Sequence, residues 1–497
     1  MVYIIVRMVI WMVDIYTYEK SLKTSKKKSM GIFYTDSQLA NYMINTINIK
    51  PTDKVVDPSC GNGIFIRCLT DKFKDKFVPS NVYGVDYDKD VIALLKDNLS
   101  STYSESELLT NIVYGNSLGN RVRCMNAKSE NDKYDFIIGN PPYVPAKDGK
   151  NYNSKLFNYK KYTSTSVNLS MIMLVRSMDL IKENGVISFI LPKNILHVEC
   201  YSKLRKELLS NYSIMEIVDL GIYFKGVRGE QIILTIKKKE PSVNHKIIIK
   251  HLVNKKDFMM ESTEIKQNIF TKNNIIVLYS SNQEIALLEK LQGSGSKLVE
   301  LVKGNIFRGV AVDSKNKSYK TYRGRDIGKF SVKECINANP IDLKNDKIQL
   351  LTHNKLIMQN IFSSEAGIIA SFVNDGSISN ETVTNIVYHD DELLKYVLGL
   401  LNSKLINYYL IIKIYNDSRL TMHTDKKYIG EIPIVISKEY YSKVIKIVER
   451  ALNKDYNKLP EITKEIDKLV YKIYQLDDSD IKIVENRINN IFSREWI

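Results

Sequence analysis

Residues 134–144 read Tyr-Asp-Phe-Ile-Ile-Gly-Asn-Pro-Pro-Tyr-Val, and this stretch decides the fold. Its first half, Tyr134 to Ile138, is a bulky apolar run of the length of a buried strand. Its second half is a rigid turn, because Pro141 and Pro142 fix φ and force the residues before them into extended geometry. The Asn140 amide and the neighbouring carbonyls are thereby held facing one way, and the aromatic ring of Tyr143 follows at once. Rigid acceptors beside a flat face suit an exocyclic amino group on a planar base. Taken alone, the same residues also serve a proline turn that caps a strand.

Working outward, Lys54-Val-Val-Asp57 is a short strand running into Pro-Ser59-Cys-Gly61-Asn-Gly63, with helical residues on to Phe73. Strand, glycine turn and helix form a nucleotide-binding arrangement: glycines admit close approach to the backbone, and the helix N-terminus offers free N–H groups. Val82 to Asp86 is a second strand ending in an acid, where a carboxylate can accept ribose hydroxyls or cap the next helix. Ile112 to Tyr114 and its exit loop at Asn116 make a third strand. Leu169–Ile181 reads as a helix, Gly185–Pro192 as a strand, and Ile214–Leu220 and Gln231–Ile236 as two more. Upstream, Ser37–Ile47 has Leu39, Met43 and Ile47 along one helical side. The class is α/β with a largely parallel, doubly wound sheet.

With 497 residues the chain exceeds one ordinary core and is expected to form two or three domains. A formal net charge of +16 points to a polyanionic partner, although abundant Lys, Asn, Ile and Tyr together also follow from AT-rich coding. Residues 297–497 hold 31 Lys and Arg against 26 Asp and Glu, so that region carries only +5 and charge alone locates no binding face. Five cysteines without a CxxC pair or nearby histidines indicate neither zinc nor disulfides, and place the chain in reducing cytoplasm. Met1 to Tyr16 is apolar but carries Arg7 and Asp14 and is shorter than the roughly 20 residues a bilayer span needs. It reads as a peripheral element, or as sequence ahead of a start at Met30. Four segments are expected: an arm over 1–29; a catalytic domain over 30–291, with an extension from about 240; a linker, Gln292-Gly-Ser-Gly-Ser296; and a C-terminal region over 297–497.

In their order along the chain, these residues resemble the γ-arranged N6-adenine DNA methyltransferases that use S-adenosylmethionine. Gly31-Ile-Phe-Tyr34-Thr35 resembles that family's opening cofactor motif, Asp57 to Gly63 its glycine loop, and Asn140-Pro-Pro-Tyr143 its catalytic motif. The resemblance implies a Rossmann-like methyltransferase sheet followed by a mixed α+β target-recognition domain with C-terminal helices. It implies methyl transfer to the N6 amino group of an adenine flipped out of double-stranded DNA, with Asn140, Pro141, Pro142 and Tyr143 catalytic and no metal. Cofactor contacts fall on Tyr34, Thr35, Asp57, Ser59, Gly61, Gly63, Asp86, Tyr87 and Asn116. Tyr143 takes one face of the base and Phe224, preferred over Tyr223, the other, unless both are core aromatics.

Three positions depart from the pattern: Asn116 where an acid is usual, Asp36 where Thr-Pro is usual, and Asn168-Leu-Ser170 where an acid and an aromatic flank the leucine. They bear on cofactor affinity rather than on the reaction class. In the C-terminal region Arg308, Arg323 and Arg325 are candidate contacts to guanine or phosphate, with turn capping or pairing to Asp326 as the plain alternative. The expected partner is double-stranded DNA, any nuclease being a separately encoded chain, and the protein is expected to be a monomer without membrane contact. Competing readings are methyl transfer to RNA or protein glutamine, and a non-catalytic DNA-binding specificity subunit.

Overall fold

The computed structural model describes residues 33, 35–119, 121–146, 159–162, 168–224, 226–227, 229–313, 318–341, 345–418, 420–453 and 458–493. The arm over 1–29 and Tyr34 lie outside them. The chain divides into two compact units, Met1–Val277 and Leu278–Ile497. This division falls ahead of the Gln292–Ser296 segment read as the linker, because the helix before that segment, α7 (Asn282–Gln292), belongs to the second unit with Leu287, Leu288 and Leu291 buried in it.

The first unit is built on nine strands: β1 (Val55–Asp57), β2 (Val82–Asp86), β3 (Ile112–Tyr114), β4 (Tyr134–Gly139), β5 (Ile181–Pro192), β6 (Ser213–Gly221), β7 (Gln231–Lys237), β8 (Lys246–Asn254) and β9 (Met259–Lys266). They lie in the order β3-β2-β1-β4-β5-β7-β6-β8-β9. The pairs from β3 to β5 are parallel, and β7 is antiparallel to both β5 and β6. This is the doubly wound, mostly parallel sheet expected of a Rossmann-like methyltransferase. Continuous burial along β7 from Gln231 to Ile236 reflects cover on both faces. Strand order reverses at β1, whose neighbours are β2 and β4, and that reversal opens a crevice at the carboxyl ends of β1 and β4.

Helices α1 (Ser37–Thr46), α2 (Ile64–Phe73), α3 (Lys89–Leu99), α4 (Glu105–Asn111), α5 (Leu169–Leu180) and α6 (Ser202–Asn211) accompany the sheet. Leu39, Ala40, Met43 and Ile44 of α1 are buried, the i, i+4 spacing of an amphipathic helix on a core. Asp36 caps α1 by accepting from Leu39 N at 2.9 Å, an interaction worth about 1 kcal/mol.

Among the described residues the second unit holds two four-stranded sheets, beside two short two-stranded pairings. One runs Ile306–Arg308 (β10), Val383–Val387 (β15), Lys355–Gln359 (β13) and Ala370–Val373 (β14), all antiparallel. The other pairs Tyr319–Tyr322 (β11) with Ile336–Pro340 (β12), flanked by Val312–Asp313 and Ile378–Ser379. Helices α8 (Asp391–Leu401), α9 (Lys404–Tyr409), α10 (Tyr441–Leu452), α11 (Leu459–Ile473) and α12 (Asp478–Ser493) follow. Helix α11 carries an apolar stripe, with Ile462, Ile466, Val470 and Ile473 buried. Among the described residues no single helix is long and apolar enough to cross a membrane.

Candidate active site

Four loops meet where β1, β2, β3 and β4 end. After β1 the chain turns through Gly61 and Gly63, both at positive φ (48° and 74°). Gly63 starts α2, and a Cβ there would lie 2.4 Å from Leu95 Cδ1, so only glycine fits. Asp57 Oδ1 accepts from Ser59 N at 3.0 Å and fixes the loop from inside. Burial pushes the Asp57 carboxyl up to about 8. Gly139, which ends β4, has no room for a Cβ, since one would lie 2.7 Å from Asp57 Oδ1.

Asp86 does not cap the following helix; Asp88 does, accepting from Asp90 N at 3.1 Å. Asp86 instead accepts from Gly61 N at 2.8 Å and Asp88 N at 2.9 Å, which joins the β2 end to the glycine loop. Burial raises its carboxyl as well. Ser117, not singled out from sequence, binds Pro58 O at 2.5 Å and ties the third loop to the first. Asn116 turns its Oδ1 to Leu118 N at 3.0 Å, a local turn that stands where an acid was expected. Tyr87 and Tyr114 are 61% and 50% exposed, with ring centroids 6.3 Å apart. Ser59 Oγ is buried and has no hydrogen-bond partner among the described residues.

At the β4 end, Asn140 is held from both ends of its amide. Its Nδ2 donates to Phe33 O at 3.1 Å and to Thr35 Oγ1 at 3.2 Å, which orients the oxygen the other way. That oxygen accepts from the Tyr143 hydroxyl at 2.5 Å. Tyr143 has a second acceptor, Ile190 O, at 3.1 Å, and its ring lies nearly parallel to Phe33, 19° apart with centroids 6.5 Å apart. Pro141 is buried and Pro142 partly so. Phe33 is a residue that the motif reading passed over.

Beyond β6, Tyr223 and Phe224 form an aromatic corner, edge to face at 5.2 Å, and both are almost wholly buried. Gln231 Oε1 accepts from Tyr223 N at 2.9 Å and Phe224 N at 3.4 Å, and its Nε2 donates to Gly229 O at 2.6 Å. The Tyr223 hydroxyl donates to Asp36 Oδ2 at 2.8 Å. Asn168 caps α5 through Ser170 N at 3.0 Å, so this departure from the expected pattern has a local structural use.

The three arginines of the second unit separate. Arg323 is bound on two nitrogens by Asp326, at 2.7 and 2.8 Å, and that carboxylate also accepts from Arg323 N at 2.9 Å. This is the turn-capping alternative rather than a free cation, since Asp326 is nearly buried and holds the Tyr322–Ile327 turn. Arg308 is likewise forked, on Asp425 at 2.6 and 3.0 Å, but remains 44% exposed and lines an open cleft with Lys347, Asn360, Glu381 and His423. Arg325 is exposed.

A crevice at a topological switch point, a glycine loop latched to an acid on the next strand, and a fixed amide at the fourth strand define a Rossmann-like methyltransferase. Residues 80–224 match the Eco57I restriction-modification methylase family, and residues 319–434 match the TaqI-like C-terminal specificity domain. Two stretches of the chain thus resemble a restriction-modification methylase and a C-terminal specificity domain, in that order. The chain is 27% identical over 327 residues to the type II methyltransferase M.VspI of Vibrio sp. (strain 343), covering 62% of this chain and 74% of that one. It is 25% identical over 240 residues to M.HincII of Haemophilus influenzae, covering 44% and 42%, so the match spans less than half of that relative's length. Among solved structures, the type IIL restriction-modification enzyme MmeI in complex with DNA shares the fold at a TM-score of 0.56 with 13% identity, over 92% of this chain and 75% of that one.

Proposed function

We propose that the protein transfers a methyl group from S-adenosylmethionine to the N6 amino group of an adenine turned out of double-stranded DNA at a specific sequence. The observation that carries this reading is the Asn140 amide oxygen, aimed by two donor contacts and set beside an aromatic ring at the end of β4. The specificity unit favours DNA over RNA or protein glutamine as acceptor.

The crevice fits the cofactor. Ser59 Oγ is a buried hydroxyl without a partner among the described residues, Gly61 and Gly63 bare the loop backbone, and Asp86, bound to the Gly61 N–H, is the acid that family resemblance gives to the ribose. Tyr87 and Tyr114 offer exposed rings beside it. Thr35 and Asp57 lie toward the methionine end by family resemblance, with Asn116 near the adenine. When bound, S-adenosylmethionine supplies an electrophilic methyl group on a sulfonium.

The chain's task is to prepare the amino group. Adenine N6 is a weak nucleophile because its lone pair is delocalised into the ring. Acceptance of its two hydrogens by Asn140 Oδ1 and the Pro141 carbonyl favours a tetrahedral nitrogen with the lone pair free, so the work is positioning and electrostatics. In the free protein the Tyr143 hydroxyl takes the place of one amino hydrogen on Asn140 Oδ1. It has one proton and two acceptors, so an arriving base displaces it to Ile190 O without moving the backbone. Flipping costs a few kcal/mol of stacking and pairing, part of which Tyr143 and Phe224 return by stacking, at roughly 1–3 kcal/mol per base.

Arg308 and Arg325 contact DNA in this reading, while Arg323 holds the turn that carries Arg325. Asp425 occupies Nε and one edge of Nη2 on Arg308, which leaves Nη1 and the outer Nη2 hydrogen for an end-on contact to guanine or phosphate. A restriction nuclease acting with it would be a separate partner. The test is incubation of purified protein with labelled S-adenosylmethionine and duplex DNA, RNA or protein. Label on N6 of adenine in duplex DNA is the expected result, and label on none of the three overturns the reading.

A further inference from the structure

Phe33, Thr35 and Asp36 together touch both walls of the proposed base site. On one side the Phe33 carbonyl and the Thr35 hydroxyl receive the Asn140 amide. On the other, Asp36 Oδ2 accepts from the Tyr223 hydroxyl at 2.8 Å across 187 residues of sequence, while Asp36 Oδ1 caps α1. Tyr223 is fixed at every polar atom. Its backbone N–H goes to Gln231, its carbonyl accepts from Lys255 Nζ at 2.8 Å, and the same ammonium sits 4.0 Å from the ring centroid. Such a residue is an anchor, not a ring free to receive a base. Phe224, next along the chain, has no polar atom in its side chain to tether.

We propose that Asp36 is a positioning residue for the target base: its bond to Tyr223 sets the aromatic corner at a fixed distance from Asn140, and so sets the width of the slot into which the base turns. This rests on the adenine-methyltransferase reading and extends it. It gives the departure at Asp36 a use, since proline could not accept the tyrosine proton. The groups facing the carboxylate across this junction are Tyr223 OH and the α1 N-terminus, and Lys255 reaches the far side of the same ring.

The experiment uses the full chain and the duplex that methylation sequencing identifies for the wild type, with adenine at the target for kcat and, in a second duplex, 2-aminopurine at that position for the fluorescence of base turning. Tyr223→Phe removes the hydroxyl and leaves the helix cap intact. It is expected to lower kcat and the 2-aminopurine fluorescence gain by about tenfold, the scale of a hydrogen bond to a charged acceptor, with cofactor affinity and KM for DNA within about twofold of wild type. Asp36→Asn keeps the helix cap through Oδ1 and presents Nδ2 to the Tyr223 oxygen, which accepts in place of donating, and is expected to restore most of the signal that Asp36→Ala loses. In the double variant Asp36→Ala/Tyr223→Phe, kcat should fall no further than in Asp36→Ala alone. Wild-type kcat and fluorescence in Tyr223→Phe, or additive losses in the double variant, would overturn the tether while leaving the methyltransferase reading intact. Failure of the wild type to methylate any duplex would sink both.

Discussion

The two units place their chemistry differently. In the first, the decisive groups sit at strand ends, mostly buried, each held by bonds to backbone: Asp57 by Ser59, Asp86 by Gly61, Asn140 by Phe33. In the second, the candidate contacts are arginines on short strands and turns, held by carboxylates and open to solvent. The contrast teaches that groups placed by backbone geometry leave little choice of residue, whereas side chains on short strands and turns take their meaning from their partners.

The sharpest way to break this comparison is Asn140→Ala. Transfer should fall by a factor on the order of 100 to 1,000, the scale for losing one aimed polar group in a preorganised site, with DNA binding retained. Unchanged single-turnover rates would show that the strand-end amide does no chemistry. Next comes Tyr143. Replacement by alanine removes a stacking ring worth roughly 1–3 kcal/mol and should cut kcat/KM for DNA by about 10- to 100-fold, while phenylalanine should cost much less.

In the recognition unit, Arg308→Ala should relax the methylated consensus at one base pair, at a cost of about 1–3 kcal/mol in discrimination, read by sequencing adenine methylation in expressing cells. Arg323→Ala should leave the consensus alone but lower the thermal midpoint by a few degrees, because it strands the nearly buried Asp326 carboxylate. If the two arginine variants exchanged phenotypes, the division between reader and clasp would fail.

The smallest effect is on pH. The Asp57 carboxyl, raised to about 8 by burial, is mostly protonated at neutrality. A cationic cofactor favours its ionised form, so affinity for S-adenosylmethionine should strengthen as pH rises through about 8 and weaken below it. Asp57→Asn should flatten that dependence in a titration calorimetry series, and a slope unchanged in this variant would assign it to another group.

Much of the first unit was legible because its signals are local. Tyr134–Ile138, Val82–Asp86 and the glycine loop announce strand and turn within a few residues, and the structure has them as β4, β2 and the turn before α2. Arg323 was legible for the same reason, its Asp326 partner lying three positions away. Arg308 was not, because its partner Asp425 is 117 residues further on. The boundary at Val277 left no Gly- or Ser-rich trace, while the segment that has one, Gln292–Ser296, follows a packed helix. Asp36 stood out only as a departure from a pattern, and its use, like that of Phe33, was not legible because their partners, Tyr223, Asn140 and Tyr143, are brought to them only by the sheet.

Strand β7 gives the sheet a further meaning. Because it lies between β5 and β6, the end of β4 and the end of β6 are three strand spacings apart, about 14 Å at roughly 4.8 Å per strand. The gap between the two strand ends is therefore counted in whole strands, and Asp36 and Tyr223 govern only how the aromatic side chains reach into it. No point substitution can widen or narrow such a ruler, so evolution can adjust the opening only through the reach of the side chains hung from its two marks.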